Sequence, residues 1–164
     1  MTKGKRWIAA GAATALLCAV VALIFFFGKS AAVNTVSQGG LFWEERAQDY
    51  ALSAPLPSSG QGDIAIPGYS TVYFPAGETL VPMTLYNPAQ NACLFQFALY
   101  LEGEEEPIAS TGLIQPGKAV QEITLARPLA PGDYTLNIQV NTYTSDMQTA
   151  LNNAFVKAEL RVFA

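Results

Sequence analysis

Tyr134-Thr135-Leu136-Asn137-Ile138-Gln139-Val140 is the stretch that decides the fold. Its apolar residues Tyr134, Leu136, Ile138 and Val140 alternate with Thr135, Asn137 and Gln139. A period of two belongs to a strand with one face in a core and one in water. A helix would scatter the same four apolar residues around its circumference. Immediately before it stands Pro128-Leu129-Ala130-Pro131-Gly132-Asp133, where Pro and Gly set a turn.

The same period extends outward over residues 63–164, punctuated by Pro/Gly turns. Thr71-Val72-Tyr73-Phe74 reads as a short strand ended by Pro75 and Gly77. Val81, Met83 and Leu85 alternate with Pro82, Thr84 and Tyr86. Pro82 has no N–H to give a ladder, so this strand belongs at a sheet edge. From Cys93 to Glu102, Phe95, Phe97, Leu99 and Leu101 share one face. The opposite face, Leu94, Gln96, Ala98 and Tyr100, is itself fairly apolar, which predicts a central strand. Glu104-Glu105-Glu106-Pro107 reads as a solvated hairpin tip without the spaced ligands of a calcium loop. Residues 108–114 return as a short strand. Residues 119–126 make another, with Gln121, Ile123 and Leu125 predicted on one face. The last strand turns Val156, Ala158, Leu160 and Val162 inward, and Lys157, Glu159 and Arg161 to water. The interval 141–153 exceeds a tight hairpin and predicts a helical turn around Asp146 to Ala150. The total is an all-β, two-sheet sandwich of about seven strands over residues 63–164, a barrel being the alternative.

Ahead of the sandwich lie 21 uncharged residues, 7–27, enough for a helix of about 31 Å, the hydrocarbon thickness of a bilayer. Lys3, Lys5 and Arg6 precede this run, so the basic segment 1–6 is expected in the cytoplasm and the C-terminal domain outside. The run exceeds the usual core of a signal peptide, which favours an uncleaved single-pass anchor. Ser30-Ala31-Ala32 keeps cleavage before Val33 as the alternative, with a secreted domain as its consequence. Residues 28–62 read as an extracellular linker, within which 41–52 predict a short helix.

The chain has no histidine, which removes His-based triads, His zinc sites and His acid–base work. A net charge of −4 without a basic stripe argues against nucleic acid. Of two cysteines, Cys18 falls in the apolar run, so Cys93 is left without a disulfide partner and reads as a small buried hydrophobe. No catalytic, cofactor or metal residues suggest themselves. Glu78, Glu102 and Glu122 keep a carboxylate-dependent glycan-processing enzyme as the alternative.

Pro128-x-x-Pro-Gly-x-Tyr-Thr-Leu-x-Ile-x-Val140, the pair Asn152-Asn153 and a terminal alternating strand resemble bacterial cell-adhesion-related immunoglobulin-like domains. Ile66-Pro67-Gly68-Tyr69, Tyr86-Asn87-Pro88 and Gly112-Leu113-Ile114-Gln115-Pro116-Gly117 are similar to small single-pass surface proteins of Gram-positive bacteria. The resemblance covers about the last 100 residues and implies an immunoglobulin-like ectodomain at a cell surface. Thr149-Ala150-Leu151 stands where the family's acidic residues precede the paired asparagines, so an ion-binding role is not implied.

These observations point to a membrane-anchored binding or structural module of the bacterial cell envelope, without catalytic activity or cofactor. Its partners would be the bilayer, through residues 7–27, and an envelope protein or cell-wall polymer. Phe155 and Phe163 are the candidate partner-binding residues. Both fall on the outward positions of the last strand, available to a partner if that strand lies at a sheet edge.

Overall fold

The computed structural model describes residues 41–51 and 64–164. The expected membrane helix 7–27, the basic segment 1–6 and the rest of the linker lie outside the described residues. Among the described residues, no helix is long and apolar enough to cross a membrane. Eight strands follow in order: β1 (Gln48–Asp49), β2 (Thr71–Pro75), β3 (Leu80–Asn87), β4 (Leu94–Leu101), β5 (Ala109–Ser110), β6 (Lys118–Thr124), β7 (Gly132–Tyr143) and β8 (Ala150–Phe163). They form two sheets, ordered β1-β6-β3 and β2-β8-β7-β4-β5. The all-β, two-sheet architecture expected from the alternation is the one observed.

β7 organises the larger sheet. Leu136, Ile138 and Val140 are buried, while Thr135, Asn137, Gln139 and Asn141 alternate with them and stay partly open. β4 pairs with one side of β7 from Leu94↔Tyr143 to Leu101↔Leu136, and β8 pairs with the other. Phe95, Phe97, Leu99, Leu136, Ile138 and Leu160 from this sheet join Val81, Leu85, Val120 and Ile123 from the other in one core, together with Phe74. The Phe95 and Phe97 rings meet edge to face, their centroids 5.9 Å apart, a geometry favoured by the aromatic quadrupole. Each large side chain so buried contributes about 1.5–3 kcal/mol. Cys93 is buried among these residues as a free thiol, and burial pushes its pKa up. Where the chain turns into β7, the Tyr134 hydroxyl donates to Ala130 O at 2.9 Å and ties the corner.

β3 is an edge strand, as Pro82 requires. Its register with β6 slips by one residue between Pro82 and Leu85. That irregularity corrects the predicted inner face of β6. Gln121 is exposed, and Val120 faces in with Ile123 and Leu125. The predicted strand over 108–114 is regular only at Ala109–Ser110, then follows β4 through a single bridge, Phe95↔Ile114.

The short helix predicted over 41–52 does not form in its described part, 41–51. Those residues belong to the sandwich, not to a linker, and run as an extended strap along its side. Leu113 N–H donates to Phe42 O at 2.7 Å, Glu44 N–H to Leu113 O at 3.0 Å, and Tyr50 N–H to Gly117 O at 2.8 Å. Backbone groups that a helix would pair internally are thus paired across to the domain. Its scattered apolar positions could not have buried a helix face. The strap passes so close to Gly112 that a Cβ there would lie 2.7 Å from Glu44 N. Glu44 Oε2 accepts the Gly112 N–H at 3.0 Å, and its Oε1 accepts from Arg46 Nε at 3.0 Å. Burial works to raise the Glu44 pKa, but Arg46 and the Gly112 N–H outweigh it and hold the carboxyl below its ordinary value.

The helical turn predicted near residues 146–150 is likewise absent. β7 and β8 continue as a ribbon closed at residues 144–149. There Asp146 accepts from Thr144 Oγ1 at 2.5 Å and from Gln148 N–H at 3.1 Å. A short acceptor side chain commonly closes a turn in this way. Helix propensity in so short a segment cannot compete with a paired ladder.

Candidate binding surface

Phe155 and Phe163 both project from the outer side of β8, 69% and 53% exposed. Val156 packs partly against the core, and Ala158, Leu160 and Val162 lie within it, as the alternation requires. The strand itself, however, is not an edge along its length. From Glu159 to Val162 it lies between β7 and a parallel partner, β2, whose pairing runs on to Phe163. A parallel pairing between segments nearly ninety residues apart leaves no local sequence signal. Only the first part of β8 has no strand on its second side among the described residues. Glu159 N–H donates to Ser70 O at 2.9 Å. The strand period therefore turns the backbone groups of Asn153, Phe155 and Lys157 toward that open side. The two phenylalanines stand about 26 Å apart along the strand and do not form one patch. Phe163 sits beside Pro75, and Tyr73 beside Arg161. Phe155 sits beside Gln139.

Around Phe155 the outer face of the sheet is laid out in rows. Gln96, Asn141 and Asn153 stand opposite one another on β4, β7 and β8. Ala98, Gln139 and Phe155 make the next row, and Tyr100, Asn137 and Lys157 the third. Gln139 Nε2 donates to Asn141 Oδ1 at 2.7 Å, and Tyr143 OH to Gln96 Oε1 at 3.3 Å. These bonds hold amide planes in place on rigid strands. Asn is depleted in strands generally, so a concentration of amides at the centre of a sheet is unusual.

Charges gather toward the other end of this face. Lys157 Nζ meets Glu102 Oε1 at 2.7 Å, and Arg161 lies 3.9 Å from Asp133 and 3.6 Å from Glu159. Lys157 holds the Glu102 carboxyl below its ordinary pKa. Of the three carboxylates singled out in sequence, Glu102 is in this ion pair, Glu122 is on the other sheet opposite Pro82, and Glu78 is in the turn after β2. No group of three Asp, Glu or Cys residues that could hold a metal occurs among the described residues.

A second surface was missed in sequence. Tyr50, Tyr86, Pro88 and Pro116 line an open cleft of about 550 Å³. The Tyr50 and Tyr86 rings are 5.5 Å apart. Burial, with Tyr50 beside it, pushes the Tyr86 phenol up. Beneath it two buried amides brace the loop. Asn87 Nδ2 donates to Cys93 O at 2.8 Å and Ile114 O at 2.9 Å. Asn91 exchanges hydrogen bonds with Ala65 N–H and C=O at 2.8 and 3.0 Å, and also donates to Asn87 Oδ1 at 2.9 Å. Asn87-Pro88 in sequence signals only a turn, and burial of both amides depends on contacts 26 and 27 residues away.

No protein-family model matches this chain, and neither does any curated protein.

Proposed function

We propose that this chain is a membrane-anchored, non-catalytic binding module of the bacterial cell envelope, with an immunoglobulin-like domain held outside the membrane by residues 7–27. The observation that carries the binding role is the outer face of the five-stranded sheet. Amide and aromatic side chains, interrupted by the buried Ala98 and by Lys157, stand there on three paired strands, and nothing in the chemistry of the core calls for them. The immunoglobulin-like reading is supported by three features. β4, β7 and β8 are adjacent in the order that C, F and G strands take, β3 and β6 pair in the other sheet, and Tyr134 ties its corner at the start of β7. The anchor rests on the 21-residue uncharged run and the basic residues before it. Cross-linking on intact cells tests the reading. The anchored chain should stay in the membrane fraction after high-salt washing and capture an envelope component. Capture should fail when the outer face is substituted. A mature N-terminus at Val33 would overturn the anchor, and capture indifferent to the outer face would overturn the assignment of the surface.

A further inference from the structure

Resting on the binding-module reading, we infer that the outer face centred on Gln139 is a binding site for a neutral, extended β-linked polysaccharide. Its middle is uncharged. Gln96, Asn137, Gln139 and Asn141 each present an amide with two donors and one acceptor oxygen. Such groups match hydroxyls, which both give and accept hydrogen bonds. Three of the four are already oriented by the bonds from Gln139 to Asn141 and from Tyr143 to Gln96. Preorganised groups on strands lose little freedom when they bind.

The flanks supply the other half of a sugar's surface. Phe155 on β8 and Tyr100 on β4 stand on either side of the Asn137–Gln139 stretch of β7. Two strand spacings and a two-residue offset along the strands separate them by about 12 Å. Their rings offer apolar faces to the C–H faces of sugar units two apart along the chain, while the amides between reach the hydroxyls.

Other ligand classes fit this face poorly. The only cation in the three rows, Lys157, is held by Glu102 at 2.7 Å, so an acidic polymer finds no basic stripe. The three rows span roughly 14 by 17 Å, about 240 Å². That is well short of the about 800 Å² per partner of a stable protein interface. A single exposed phenylalanine is too little apolar surface for a lipid face.

Calorimetric titration of the full chain in detergent tests the inference, with hexasaccharides of β-1,4-linked glucose, N-acetylglucosamine and xylose as probes. At least one should bind saturably. Asn137→Ala with Gln139→Ala should weaken it by at least about tenfold, the loss of one or two well-made hydrogen bonds. Gln139→Glu, which keeps the side chain's shape, should weaken binding without shifting the urea midpoint. Gln121→Ala, exposed on the other sheet, should change nothing. No binding of any of the three probes would overturn the inference, as would unchanged binding in the Asn137/Gln139 and Gln139→Glu variants. Loss of cellular capture by those variants without glycan binding would remove the polysaccharide and leave the binding module standing.

Discussion

The two faces of β7 are built from opposite chemistry on one backbone. Leu136, Ile138 and Val140 enter a core whose neighbours are almost all apolar, while Asn137, Gln139 and Asn141, interleaved with them, form a polar, half-open face. The inner face is under the constraint of packing, where a lost methylene leaves a void. The outer face has no such constraint and would be served as well by threonine or lysine. The difference separates the residues that make the fold from those that remain available for recognition.

The largest expected effect falls on the inner face. Leu136→Ala should lower stability by about 2–5 kcal/mol in urea denaturation, the range for cutting a large core side chain to a methyl. An equal cost at Thr135→Ala would reverse the assignment of the faces.

Asn87 sharpens the comparison because it is an amide on the inside. Asn87→Ala takes one donor from Cys93 O and one from Ile114 O, which keeps the Phe95 N–H, and should cost about 1–3 kcal/mol, since a buried carbonyl loses a bond it cannot replace with water. The same denaturation measurement on Asn137→Ala should give a far smaller value. Similar values would show that the outer amides are structural.

At the edge of the larger sheet, Gly112→Ala forces a Cβ against Glu44 N and the Phe42 ring. A cost of about 1–3 kcal/mol is expected for such overpacking, with faster proteolysis of residues 41–51. Unaltered proteolysis would mean that the strap is not held there.

The strap also responds to acid. The Glu44 carboxyl titrates below its ordinary value in the folded chain. Its ionised form therefore adds stability that is present above the unfolded pKa and is lost as pH falls through the folded one. Wild type should lose more stability than Glu44→Gln between neutral pH and the acid side of the carboxylate range. Identical slopes in denaturation at the two pH values would remove Glu44 as the cause.

Much of this fold was legible because alternation is local. The inward sets of β3, β4, β7 and β8 and the edge position of Pro82 all follow from period and turn chemistry. What escaped notice depends on distant partners. The strap at 41–51 is extended only because Leu113 and Gly117 receive it. β8 is flanked by β2 only through a parallel pairing that no hairpin announces. The slip at Pro82 to Leu85 turned Gln121 outward without a glycine to mark it. For the surface, alternation placed Phe155 and Phe163 outward and eight residues of strand set them apart, but only register showed that amides from three strands converge beside Phe155.

The smallest expected effect on stability belongs to the outer face, and it bears on the central claim most directly. Gln96→Ala, Asn137→Ala and Gln139→Ala, combined in one chain, should be followed at once by urea denaturation and by capture on intact cells. The account predicts a stability change within about 0.5 kcal/mol per position, as for surface substitutions, together with loss of the captured component. A collapse of the fold, or capture at the wild-type level, would contradict it.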